Sequence, residues 1–257
     1  MKAVILAGGL GSRMGGETAN RPKPMVEVGG NPILWHLMQL CSAQGVSEFF
    51  VALGHNGVSI KDYFLRYQAL HNDVSIDLRS GKTEFHGQEA PDWRVHLIDT
   101  GLATATGGRL KRLSPWLCDE PYFLMTYGDG LADIDLRALE QFHVNHGRLA
   151  TVTAVRVPER FGRLSLEGDM VTMFQEKPDN GRPWINAGFF VLSPKALDYI
   201  EDDTTVWEHE PLQRLCAKGE LCAFRHEGFW SGLDTPSDLI YLESVKRSGR
   251  APWKIAK

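Results

Sequence analysis

Residues 2–24 read KAVILAGGLGSRMGGETANRPKP, and the fold follows from how this stretch changes character at Gly8. Lys2 to Ala7 is a short apolar run that ends in a glycine cluster, the pattern of a buried parallel strand opening into a ligand-binding turn. Without a Cβ, the backbone at Gly8, Gly9 and Gly11 can approach a ligand closely, and its amides can line a concavity that favours an anion. Arg13 and Lys23 bring two positive charges to the same place. The segment Leu6, Ala7, Gly8, Gly9, Leu10, Gly11, Ser12, Arg13 therefore outlines a triphosphate site. Two other readings compete with it. One is a plain glycine-rich turn. The other is a dinucleotide fingerprint, which Gly9-x-Gly11 begins but Met14 and the run from Glu17 to Pro24 do not continue.

Outward from this loop the chain alternates strands and helices. Helices are expected at Ile33–Ala43, Val58–Tyr67 and Arg109–Leu117, with Asn31-Pro32 and Thr106 as helix starts. Strands are expected at Glu48–Leu53, Arg94–Asp99 and Tyr122–Thr126. This rhythm predicts an α/β fold, a doubly wound and mostly parallel Rossmann-like sheet. Beyond it come a helix at Leu136–His146, a strand at Ala150–Val155 and a hairpin turning at Glu167-Gly-Asp169. A strand at Trp184–Leu192, a capping box at Thr205 and Glu208 and a strand at Leu221–Phe224 follow. Thr235-Pro236-Ser-Asp238 starts a helix that runs to about Lys246. Residues 72–91 carry short alternating segments outside the rhythm. No repeat or linker interrupts the 257 residues, so a single domain is expected over 1–257.

Composition narrows the function classes. A net charge of −4 argues against nucleic acid or an anionic membrane as partner, so a basic site must be local and concave. Cys41, Cys118, Cys216 and Cys222 show no metal-ligand spacing and read as buried thiols. The chain starts in a core strand without a leader, and no apolar run approaches the roughly 20 residues needed to span a bilayer, so a cytoplasmic protein is expected.

Three further places carry chemistry. Gly128-Asp129-Gly130 follows an apolar strand, at the edge where α/β sheets bind ligands, although the same tripeptide also makes a good turn. Asp234 stands at a second strand-to-helix junction. Two such carboxylates, with phosphate oxygens, suit Mg2+. Asn186 is a polar residue in an apolar strand and needs a partner if buried, which a sugar hydroxyl could supply. Glu176-Lys177, before a proline, reads from spacing alone as a solvated surface pair.

Leu6-Ala-Gly-Gly-Leu-Gly-Ser-Arg13 followed by Arg21-Pro-Lys-Pro-Met25 resembles the signature of the sugar-1-phosphate nucleotidyltransferases. Asp99-Thr-Gly, Thr106-Gly-Gly-Arg-Leu, Tyr127-Gly-Asp-Gly130 and Gly228-Phe-Trp are most similar to the branch that joins CTP to glucose 1-phosphate. The resemblance implies a nucleotide-binding half at about 1–130 and a sugar-phosphate half at about 131–257 with a small β-rich addition. It implies that Arg13, Lys23 and Asp129 act in catalysis, that Asp129 and Asp234 hold Mg2+, and that Glu176, Lys177 and Asn186 meet the sugar phosphate. Leu6 to Gly8, Thr104, Arg109 and Gly128 would face the nucleotide, with Arg109 reading the cytosine. The family also implies a homo-oligomer. Asn20-Arg21 and Pro158-Glu-Arg160 depart from the pattern, which leaves another nucleotide or sugar phosphate open. A non-catalytic nucleotide sensor on the same fold is the alternative from another class.

Overall fold

The computed structural model describes residues 1–9, 11, 21–87, 90–156, 163–175 and 183–254. Its strands are β1 (Ala3–Leu6), β2 (Glu48–Leu53), β3 (Arg94–Asp99), β4 (Phe123–Tyr127), β5 (Ala150–Arg156), β6 (Trp184–Leu192) and β7 (Leu221–His226). They form one seven-stranded sheet in the order β7-β5-β6-β4-β1-β2-β3. Neighbours run parallel except around β6, which is antiparallel to both β4 and β5.

The helices are α1 (Ile33–Ser42), α2 (Gly57–Leu65), α3 (Tyr67–His71), α4 (Thr106–Arg112), α5 (Ser114–Leu117), α6 (Leu136–His146), α7 (Glu210–Ala217) and α8 (Pro236–Arg247). The sheet separates two apolar cores. Ala3 and Ile5 of β1 enter the one shared with α1, α6 and α8, while Val4 and Leu6 enter the one shared with α4, α5 and α7. A strand whose alternate residues feed different cores is covered on both faces, which is why Lys2 to Ala7 reads as a continuous apolar run. Each wholly buried Leu, Ile or Phe in these layers contributes about 1.5–3 kcal/mol.

Several helix ends are legible and several are not. Asp135 accepts from the amides of Arg137 and Ala138 to start α6, and Thr235 with Asp238 forms a reciprocal capping box on α8. Asn31-Pro32 instead pairs with Glu27–Val28, and the helix expected over Val58–Tyr67 breaks at Arg66. Thr106 is the first residue of α4 rather than its cap. The amides of Gly107 and Gly108 donate to the Thr205 carbonyl of a distant loop. Thr205 and Glu208 do not cap α7 either, which starts at Glu210. Of the cysteines only Cys41 is buried; Cys118, just past α5, and Cys216, in α7, are exposed, and Cys222, in β7, is half-buried. Two antiparallel hairpins stand apart from the main sheet, Asp73–Ile76 with Thr83–His86 and Arg163–Glu167 with Met170–Gln175.

Gly108 decides how closely α4 approaches that loop, since a Cβ there would lie 2.5 Å from Asp203 Cα. Alanine is the better helix former by about 1 kcal/mol. The collision outweighs that gain, so Gly108→Ala should lower stability by about 1–3 kcal/mol in a chemical-denaturation experiment. A stabilised variant would show that the loop yields.

Candidate active site

The parallel strands β1, β2, β3 and β4 end at one edge, and the site is built there. Gly128 donates to the Leu6 carbonyl at 3.0 Å, Ala7 to that of Ala52 at 3.0 Å and His55 to that of Gly8 at 3.2 Å. The chain leaves β1 toward β2 on one side and has β4 on the other, the crevice in which open α/β sheets bind ligands. A cavity of about 430 Å³ opens there, lined by Leu6 to Gly9, Gly11, Lys23, Thr104 to Thr106, Arg109 and Tyr127 to Asp129.

Lys23 lies in a single 3-10 turn between Pro22 and Pro24 and is only 8% exposed. Gly128 permits this placement, because a Cβ on it would lie 2.7 Å from the Pro24 ring. Asp129 follows directly. Asp234 arrives from the far end of the chain, carried by the short antiparallel pair of Gly130–Ala132 with Trp230–Gly232 and by a bond from the Leu233 amide to the Asp129 carbonyl. Lys23 Nζ then donates to Asp129 Oδ2 and to Asp234 Oδ1, both at 2.7 Å. Two carboxylates that touch one ammonium are close enough to share one cation. Two carboxylates completed by phosphate oxygens and water also suit a hard divalent ion. Among the described residues no cluster of three or more His, Cys, Asp or Glu offers another metal site.

Arg109 lines the cavity from α4, yet it is only 4% exposed and its guanidinium is engaged by the protein itself. Nη1 donates to the carbonyls of Leu53 and Gly101 and to Thr100 Oγ1 at 2.7–2.8 Å, and Nη2 donates to the carbonyls of Gly8 at 3.1 Å and Leu102 at 3.4 Å. Burial lowers its pKa, and the Asp99 charge opposes that shift. Arg109 thus ties the glycine turn to the ends of β2 and β3. Room for it comes from Gly8 and Gly54, where a Cβ would lie within 2.5 Å of the guanidinium.

A second link was invisible in the sequence. Tyr127 Oη donates to Glu208 Oε1, and Thr106 Oγ1 donates to Glu208 Oε2 at 2.6 Å while accepting from the Trp207 amide at 2.9 Å. Burial and the Glu208 charge push the Tyr127 phenol well up. It stays a neutral donor. Thr205-x-x-Glu208 reads as a capping box in sequence, so the only signal pointed to local structure.

A smaller cavity of about 90 Å³ adjoins the first through Tyr127 and Asp129, and Asn186, Gly188, Trp230 and Asp234 line it. Asn186 is exposed rather than buried, and its Oδ1 accepts from the Gly188 amide at 2.7 Å. Trp230 Nε1 donates to the Ala187 carbonyl at 2.7 Å. The structure therefore brings Lys23, Asp129, Asp234, Asn186, Thr104, Arg109 and Gly128 to one edge with the glycine turn. Leu10, Ser12, Arg13, Glu176 and Lys177 lie outside the described residues.

The Nucleotidyl transferase family matches residues 2–245 of this chain. The chain belongs to that family. It is 49% identical over 254 residues to a glucose-1-phosphate cytidylyltransferase of Salmonella typhi, covering 99% of each chain. It is 43% identical over 256 residues to a probable glucose-1-phosphate cytidylyltransferase of Bacillus subtilis, covering 99% of this chain and 100% of that one. Among solved structures, HddC from Yersinia pseudotuberculosis complexed with GMP-PN superposes with a TM-score of 0.71 at 24% identity, over 95% of this chain and 98% of that one. That likeness concerns the nucleotidyl transferase fold.

Arg109→Leu removes a buried donor from several carbonyls and should cost about 2–4 kcal/mol. Gly54→Ala should act in the same direction while leaving every cavity-lining residue unchanged, because its Cβ would also lie 2.7 Å from the Gly8 carbonyl. Thermal melts with and without nucleotide check both. Unshifted melting of either variant would remove Arg109 from this role.

Proposed function

We propose that the chain is a glucose-1-phosphate cytidylyltransferase, which transfers a cytidylyl group from CTP to α-D-glucose 1-phosphate and releases pyrophosphate. The observation that carries the reading is the ammonium of Lys23 held between Asp129 and Asp234 beside the glycine turn. The 49% identity over nearly the whole length to a relative of that name supports the choice of substrates.

An oxygen of the sugar phosphate attacks the α-phosphorus, that P–O bond forms, and the bond to the pyrophosphate oxygen breaks. The attacking phosphate is already ionised at neutral pH, so no enzyme nucleophile or base is needed. The work left to the protein is alignment of two anions and neutralisation of the leaving charge. In this reading Asp129 and Asp234 hold Mg2+, which supplies charge to the phosphates when bound. Lys23 and Arg13 attend the triphosphate, and Leu6 to Ser12, Thr104, Arg109 and Gly128 surround the nucleotide. Glu176, Lys177 and Asn186 receive the sugar phosphate.

The halves at about 1–130 and 131–257 then act as donor and acceptor sides of a single domain. The shared hold of Asp129 and Asp234 on Lys23 supports that arrangement, since it joins the two sides at the proposed reacting centre. No helix among the described residues is long and apolar enough to cross a membrane. All four cysteines are free, which suits the reducing cytoplasm. We also propose that the protein works as a homo-oligomer.

Pyrophosphate release measured with glucose 1-phosphate and each of the four nucleoside triphosphates tests the reading. CTP should give the fastest turnover, chelation of divalent ions should stop it, and Mg2+ should restore it. Asp129→Ala and Lys23→Met should each slow turnover by about 100-fold or more with the fold intact. Silence with every nucleotide would favour a sensor or a different sugar phosphate, and near-normal rates in Asp129→Ala would remove the metal from this position.

A further inference from the structure

The loop of residues 200–209, which leads into α7, lies along the start of α4 and is bonded to it at several points. The amides of Ala105, Gly107 and Gly108 donate to the carbonyls of Asp203 and Thr205, and Lys111 Nζ donates to those of Ile200 and Glu201. Arg112 grips the Asp203 carboxylate through Nε at 2.9 Å and Nη2 at 2.5 Å. Trp207, wholly buried against Phe190, anchors the loop from the other side. These contacts fasten the loop without Glu208, so what Glu208 adds lies elsewhere.

Glu208 reaches two residues of the site. Among the described residues only Tyr127 and Asp129 line both cavities, Thr106 lines the larger one, and Glu208 lines neither. A carboxylate accepts and cannot donate, so the directions of its bonds are fixed. The Tyr127 phenol and the Thr106 hydroxyl both give it their protons, one to each oxygen. Thr106 Oγ1 also accepts from the Trp207 amide at 2.9 Å. With both protons turned to Glu208, the two hydroxyl oxygens present only lone pairs to a substrate. The Tyr127 ring is held from its other side as well, packed so closely on Gly188 that a Cβ there would lie 2.6 Å from Cδ2.

We propose that Glu208 is a positioning residue for the reaction, which fixes the wall between the two cavities and makes its two hydroxyls acceptors only. The inference rests on the proposed function and names how the two substrates are recognised where they meet. A substrate group that touches this wall must donate. Hydroxyls of the ribose and of the acceptor sugar can do so. A phosphate oxygen finds only another acceptor there, with a negative carboxylate behind it, and is turned away. The polyphosphate is thereby kept to the end of the larger cavity that holds Lys23 and the glycine turn.

Steady-state kinetics of Glu208→Gln, Tyr127→Phe and the double variant test this, with a melting curve for each. Glutamine has the size of glutamate but one accepting oxygen, so its amide donates to one of the two hydroxyls, whose own proton then turns to the cavity. Glu208→Gln should raise KM for both CTP and glucose 1-phosphate by about tenfold while melting close to the wild type. Because Glu208 acts through Tyr127, the effects of the two single variants should fall short of multiplying in the double. Unchanged KM values in Glu208→Gln, or effects that multiply in full, would overturn the role. So would a lowered melting temperature with unchanged KM, which would leave Glu208 a fastening of its loop. If Glu208→Gln does not fold, Tyr127→Phe decides alone, since it deletes the held oxygen and leaves Glu208 in place; unchanged KM there overturns the proposal. A wild type inactive with CTP and glucose 1-phosphate would overturn the proposed function instead, and the same variants are then compared on the nucleoside triphosphate and sugar phosphate it joins or, if it joins none, on nucleotide binding by calorimetry.

Discussion

One ammonium held by two carboxylates organises this protein. Lys23 is almost wholly buried, and a buried cation must be met by negative charge or lose its proton. Asp129 and Asp234 meet it from the middle and the far end of the chain. A turn bracketed by two prolines, a glycine that admits a proline ring, and a two-stranded clasp between residues 130–132 and 230–232 all converge on this contact. Several otherwise unrelated details thus have one geometric purpose.

The same contact explains the chemistry the site can support. In the proposed reaction, an entering polyphosphate would compete for the ammonium and leave the carboxylates to a divalent ion, so the same pair of oxygens would stay near electrical balance in both states. Arg109 works differently. Its positive charge is spent on carbonyl oxygens of three segments, which keeps the glycine turn in register with its neighbours.

Much of this was legible from residue order. The runs at Glu48–Leu53, Arg94–Asp99 and Trp184–Leu192 match the observed strands, the first of them because Phe49 to Leu53 are buried on both faces. The family was readable from its motifs, and the two aspartates from their places just past a strand end and at a strand-to-helix junction. Contacts between distant segments were not. Thr106 and Thr205 have the composition of helix caps, yet long-range partners take up their groups: Thr106 bonds to Glu208, and the Thr205 carbonyl receives the α4 amides. Arg109 enters as a nucleotide contact through the family resemblance alone. Its carbonyl partners are backbone atoms that no residue letter reveals. The cysteines misled because an apolar stretch does not say which of its residues face outward.

The reversed strand β6 has its own effect. Because it runs against β4, its opening residues, rather than a loop after its end, reach the edge where the parallel strands finish. Its register with β5 slips opposite Thr153, and Gly188 adopts a φ of +82° against the Tyr127 ring. The wall that carries Asn186 is thereby part of the sheet, paired with β5 at Asn186 and with β4 from Phe189 onward. If the proposed roles hold, the nucleotide side rests on loops after strand ends, whereas a new acceptor would demand changes inside a bonded ladder. Diversification of such a scaffold should therefore come more readily in the nucleotide than in the partner it is joined to.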